Sequence, residues 1–187
     1  MTHTGWNQLL SLPNGVTAIR IVAIPFVLFF LYRTEKAFQI LSAFLFLLVA
    51  LTDWVDGYFA RRQKRVTVLG KFFDPLADKL LIVTALIGLI PCRGIPSWMV
   101  IVIVGREIAV TGLRGMAITE GIVISASPIG KYKTAFEMAS VFFLLLPGSI
   151  LSVDFQLIGM VLLWLALILA VVSGIDYFRK FLGKVLG

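Results

Sequence analysis

Charge is what this sequence has least of: 14% of its 187 residues are Asp, Glu, Lys or Arg, and only ten of them are acids. With 59% hydrophobic residues and a mean hydropathy of +0.99, the composition excludes a water-soluble domain. A single cysteine, Cys92, excludes an intramolecular disulfide and reads as a small apolar residue at the end of a span. The one histidine, His3, reads as a solvated residue near the start, so no His/Cys set for zinc is present. There is no internal repeat, low-complexity tract or linker, and residues 1–187 read as one domain. Met1 to Gly15 shows no basic region followed by an apolar core and a small-residue cleavage site, so the first span is expected to be retained.

What is there is long apolar runs. A bilayer crossing needs about 20 such residues, and six runs fit, near 13–32, 37–60, 71–91, 96–116, 131–150 and 154–177. The expected fold is an all-α integral membrane protein with six transmembrane helices, neighbours antiparallel because the connections are short. Ahead of Pro13, the spacing of Trp6, Leu9 and Leu10 predicts a short N-terminal interfacial helix. Pro13 suits a helix's first turn, Pro25 is expected to kink the first span, and Arg33, Glu35 and Lys36 read as a solvated turn.

A net charge of +7 would suggest nucleic acid in a soluble protein, but here placement decides. With a cytoplasmic N-terminus, Arg61, Arg62, Lys64, Arg65, Lys71, Arg114, Lys131, Lys133, Arg179, Lys180 and Lys184 lie inside, against Arg33, Lys36 and Arg93 outside. This asymmetry predicts both termini in the cytoplasm of a bacterial-type cytoplasmic membrane, and no nucleic-acid partner. Simple interfacial anchoring accounts for Lys133.

Four of the few acids lie together in sequence. Asp53, Asp56, Gly57 and Ala60 follow i, i+3, i+4, i+7 and share one helix face; Gly70, Asp74 and Asp78 follow i, i+4, i+8 and share another. Arg62 to Arg65 is a polar hinge that would let the two helices fold back and the four carboxylates meet. Each bare Asp at mid-membrane costs roughly 2.5 to 3.5 kcal/mol, so the set needs compensation. Any one of them could pair with Arg61, Arg62, Arg65 or Lys79. For all four, two divalent cations balance the charge, and all-oxygen ligands favour Mg²⁺ or Mn²⁺ over Zn²⁺.

The pattern D-x2-D-G-x2-A-R-x8-G-x3-D-x3-D at 53 to 78 resembles, at every signature position, that of the CDP-alcohol phosphotransferases. These are integral membrane enzymes that build phospholipids from a CDP-linked donor. The resemblance implies that Asp53, Asp56, Asp74 and Asp78 hold the metals, with Gly57, Ala60 and Gly70 leaving room for the nucleotide and Arg61 touching phosphate. Asn14 and Thr17, in a Pro-Asn-x-x-Thr-x-x-Arg start, are similar to residues bordering the nucleotide pocket in many members; capping of the first turn is the alternative.

Further on, Arg106-Glu107-Ile108, Leu113-Arg114 and the Ile-Gly-Lys-x-Lys-Thr run at 129 to 134 resemble the phosphatidylglycerophosphate synthases. That resemblance implies CDP-diacylglycerol as donor and glycerol 3-phosphate as acceptor, with Arg106, Arg114 and Lys131 on the acceptor phosphate and Asp78 as general base. It also implies a homodimer surrounded by membrane lipids. An Arg106–Glu107 ion pair is the plain alternative for Arg106. Cardiolipin, phosphatidylserine and phosphatidylinositol-phosphate synthases are rival readings within the family; an intramembrane prenyltransferase or a cation transporter is a rival outside it.

Overall fold

The computed structural model describes the backbone of residues 12–63, 68–119, 128–150 and 152–185, and the side chains of 21–52, 79–117, 128–149 and 152–184. Within them the apolar runs are helices: α1 (Leu12–Leu31), α2 (Lys36–Gln63), α3 (Val68–Arg93), α4 (Ser97–Thr119), α5 (Pro128–Leu145) and α6 (Phe155–Val185). A small antiparallel hairpin, β1 (Ser149–Ile150) and β2 (Val153–Asp154), precedes α6. The interfacial helix expected over Trp6, Leu9 and Leu10 lies outside the described residues.

The six helices coincide with the six expected runs, with two corrections at their ends: α6 continues eight residues past the expected 177, to Val185, and α5 is shorter than expected. The fifth run was expected to stay helical to residue 150, but α5 stops at Leu145. Pro147 has no N–H for a helical bond and turns the residue before it away from helical geometry. The chain then reverses through the hairpin, where Ser152 takes a φ of 66°. Asp154 Oδ1 accepts the N–H of Leu157 at 2.9 Å and so caps the start of α6.

Phe155–Lys184, with a hydropathy of 2.7, is long and apolar enough to cross a membrane; Ile21–Leu31 and Lys36–Thr52 are shorter apolar stretches among the described residues. Large apolar side chains point outward on every helix whose side chains are described at length. Leu48, Ile101, Ile108 and Leu157 are 62 to 69% exposed. Water would penalise such a surface, whereas lipid is as apolar as the side chains themselves.

The chain divides into two compact units, Met1–Cys92 with Leu145–Pro147 and Arg93–Leu144 with Gly148–Gly187. In the first, α1 packs on α2, and Val27 and Leu31 of α1 and Ala43, Phe46 and Ala50 of α2 are buried. The buried Ser42 hydroxyl donates to the Val27 carbonyl at 2.9 Å, so this polar group is satisfied where no water could serve it. On α3, a Cβ at Gly88 would stand 2.7 Å from Leu28 Cδ2, so glycine is what lets α3 approach α1 this closely. The helix α1 runs on through Pro25. Arg33, Glu35 and Lys36 form an exposed turn, as expected, with the Arg33 guanidinium 4.5 Å from the centre of the Phe29 ring.

In the second unit α4 and α6 run parallel. Trp98 meets Trp164, Arg106 meets Ser173, and Arg114 lies over Tyr177, so contacts advance together along both helices. The return helix α5 is antiparallel to α4: Arg93 Nε donates to the Leu144 carbonyl at 2.8 Å, capping the end of α5, while Glu107 meets Lys133 far along it. Ser140 donates to the Gly159 carbonyl at 2.8 Å, and a Cβ at Gly159 would fall 2.6 Å from Leu144 Cγ, which marks the close crossing of α5 and α6. This up-down-up arrangement gathers Arg114, Lys131, Arg179, Lys180 and Lys184 toward one end of the unit, with Arg93 and Asp154 at the other.

Candidate active site

Asp53 and Asp56, with Gly57, Ala60 and Arg61, lie on α2, and Gly70, Asp74 and Asp78 lie on α3. The helical backbone keeps the spacing that places 53, 56, 57 and 60 on one face and 70, 74 and 78 on another. Their side chains fall outside the described residues, as do those of Asn14 and Thr17, which the backbone puts in the first two turns of α1. The hinge begins later than expected, because α2 still includes Arg62 and Gln63.

The side chains of a second cluster of charge are among the described residues. Arg106 and Glu107 come from α4, Lys133 and Glu137 from α5, and Ser173 from α6. Arg106 Nη1 donates to Glu107 Oε1 at 2.6 Å, Nη2 to Ser173 Oγ at 2.9 Å, and Nε to the Ala170 carbonyl at 3.3 Å. Gly174 makes this possible, since a Cβ there would stand 3.2 Å from Arg106 Cγ. Lys133 Nζ reaches the same Glu107 Oε1 at 2.5 Å and Glu137 Oε2 at 2.5 Å. The lysine side chain is 1% exposed and that of Glu137 is 3% exposed. Two cations and two carboxylates thus tie three helices together in a setting where any one of them alone would be strongly penalised.

Of the three cations expected on an acceptor phosphate, Arg106 and Arg114 both face α6, eight residues apart on α4. Arg114 is exposed, its guanidinium 5.9 Å from the centre of the Tyr177 ring. Lys131 is exposed near the start of α5. Arg106 is the inner member and has formed the ion pair with Glu107 that was its plain alternative reading. That pair does not exhaust it: a guanidinium has five N–H donors, and three are used here. Beside it lies a groove of about 340 Å³ bounded by Ala109, Val110, Val171, Gly174 and Phe178.

Lys133 is the residue that sequence reasoning missed. Interfacial anchoring was expected for it, but it is buried and paired twice. Two residues along a helix rotate a side chain by about 200°, so Lys131 and Lys133 point to opposite sides of α5. The available signal was Glu137, four residues on from Lys133 and therefore on the same face.

The sequence model of the CDP-alcohol phosphatidyltransferase family matches residues 10–172, most of the chain and both charged clusters. The chain belongs to this family. Among its relatives is a CDP-diacylglycerol–glycerol-3-phosphate 3-phosphatidyltransferase of Bacillus subtilis (strain 168), 42% identical, in an alignment covering 92% of this chain and 95% of the relative. Proteins of the same name from Rickettsia bellii (strain RML369-C) and Wigglesworthia glossinidia brevipalpis are 34% and 36% identical, each over 90% of this chain and 94% and 93% of their own lengths. A CDP-alcohol phosphatidyltransferase is thus built here on helices that present a lipid-compatible exterior.

Proposed function

We propose that this phosphatidyltransferase moves the phosphatidyl group of CDP-diacylglycerol to glycerol 3-phosphate, giving phosphatidylglycerophosphate and CMP. The observation that carries the reading is the complete aspartate signature from Asp53 to Asp78, on two helices of a chain whose relatives bear the name of this reaction. All six helices serve as membrane spans, the whole chain acts as one catalytic domain, and the basic end faces the cytoplasm, where nucleotide and glycerol 3-phosphate are found. The active enzyme is a homodimer.

The donor set fits a pair of hard cations: four carboxylates at i, i+3 and i, i+4 spacing on helical backbone, without a thiol or imidazole in either stretch. Asp53, Asp56, Asp74 and Asp78 would hold two Mg²⁺ or Mn²⁺ ions. When bound, these neutralise the diphosphate and the charge that develops on departing CMP. Gly57, Ala60 and Gly70 leave space for cytidine and ribose, Asn14 and Thr17 border that space, and Arg61 contacts the donor phosphates. Asp78 accepts the proton of the acceptor hydroxyl as its oxygen bonds to the phosphorus bearing diacylglycerol and the bond to CMP breaks. Arg106, Arg114 and Lys131 hold the acceptor's phosphate, so that the reaction proceeds from a positioned pair of substrates.

Incubation of the purified protein with CDP-diacylglycerol and a panel of radiolabelled acceptors tests the substrate directly. Glycerol 3-phosphate is expected to be used, and inositol phosphate, serine and phosphatidylglycerol are not; preferred use of any of these three would overturn the assignment. Arg106→Gln tests the pocket. It is expected to raise KM for glycerol 3-phosphate by roughly 10-fold to 150-fold, the worth of a charge-assisted hydrogen bond, while leaving KM for CDP-diacylglycerol in place. Transfer to free glycerol, which carries no phosphate, should change far less. If Arg106 only braces α4 against α6, the variant will instead lose thermal stability or donor binding with an unchanged acceptor KM.

A further inference from the structure

The buried charges around Glu107 include the cation to which the proposed function gives the acceptor phosphate, and this inference rests on that reading of Arg106. Glu107 Oε1 accepts from both Arg106 Nη1 and Lys133 Nζ. With Arg106 alone, the Glu107 carboxylate would cancel the guanidinium's charge and compete with an incoming phosphate. Lys133 shares that oxygen and offsets the competition. Lys133 is itself moderated by Glu137, four residues along α5, whose Oε2 it also meets.

Among the described residues Lys133 and Glu137 bring charges of opposite sign to Glu107, so removing Lys133 and removing Glu137 shift the potential at Arg106 in opposite directions. Burial of both groups weakens solvent screening of the difference. A mere brace between helices would not require this arrangement. Glu137 Oε1 is buried with no hydrogen-bond partner, and apolar side chains could pack α5 with less penalty.

We propose that Lys133 is a positioning residue for the acceptor: by sharing Glu107 it keeps Arg106 electrostatically available to the phosphate dianion, and Glu137 sets the degree. The pair acts through Glu107 and touches no substrate.

Steady-state kinetics of the full-length purified enzyme test this with Lys133→Gln, Glu137→Gln and the double variant. Lys133→Gln is expected to raise KM for glycerol 3-phosphate, and Glu137→Gln to lower it, each on the order of threefold to tenfold for a partly screened buried charge. The double variant, which removes one group of each sign, should fall between them, and KM for CDP-diacylglycerol should stay constant throughout. A structural brace predicts the same direction of damage in both single variants, with donor and acceptor affected alike, and that result overturns the proposal. Should Lys133→Gln not fold, Glu137→Gln decides alone, because it keeps the side chain's shape and an oxygen for Lys133; an unchanged or raised acceptor KM then refutes the positioning role. Arg106→Gln separates the two levels. If it raises the acceptor KM while Glu137→Gln fails to lower it, only the positioning role falls; if it leaves that KM unchanged, the phosphate assignment of Arg106 falls and this inference with it.

Discussion

Asp56→Asn is expected to reduce phosphatidyl transfer by roughly a hundredfold to a thousandfold or more, the scale on which removal of one preorganised electrostatic group lowers turnover. Asparagine keeps the shape of the side chain and one oxygen, so the α2 helix (Lys36–Gln63) should form as before. What is lost is one of four negative charges that would hold two divalent ions. The control is thermal stability of the purified variant, which should match the parent or exceed it, since a carboxylate within the membrane is itself costly without a compensating cation. Near-normal turnover by a folded Asp56→Asn enzyme would remove Asp56 from the metal site. Loss of folding together with loss of activity would point to the structural alternative, in which Asp56 is the partner of a nearby arginine.

Chelation should have an equally large effect. Excess EDTA is expected to bring product formation to background, and added Mg²⁺ or Mn²⁺ to restore it. The argument is one of charge: the donor diphosphate adds anionic oxygens to four carboxylates, and Arg61 is the only cation assigned to that phosphate. Transfer that persisted in excess EDTA would refute a metal-dependent site. Restoration by Mn²⁺ and Mg²⁺ but not by Ca²⁺ would further indicate a compact site, since Ca²⁺ takes six to eight ligands at longer distance. Binding can be followed apart from turnover, by calorimetric titration of Mn²⁺ into the parent and into Asp56→Asn.

The helices were legible because membrane insertion imposes a local rule. A continuous run of apolar residues favours helix in such a chain, so α1 to α6 stand close to where the hydropathy placed them; α5 ends earlier, before Pro147 and Gly148, and α6 runs on to Val185. The aspartate signature was legible for a related reason. Helical spacing converts sequence intervals into shared faces without any tertiary information, and the family match, over residues 10–172, includes that stretch of chain.

Apart from the i, i+4 spacing of Lys133 and Glu137, the partners of the charged side chains were not legible. A soluble helix advertises its buried face by amphipathic periodicity, but a membrane helix is apolar toward lipid and toward protein alike, so the periodic signal fades. Sequence alone could therefore not tell that Lys133 points into the bundle while Lys131 points out, nor choose between phosphate and Glu107 for Arg106. By itself the sequence determined an α-helical membrane chain, the positions of its helices and its membership of the CDP-alcohol phosphatidyltransferases. Tertiary structure alone decided that Arg106, Glu107, Lys133, Glu137 and Ser173 form one connected set across α4, α5 and α6. Those contacts depend on how three helices are rotated about their axes; Gly159 marks where α6 comes close to the backbone of α5, and Gly174 leaves room for the Arg106 side chain.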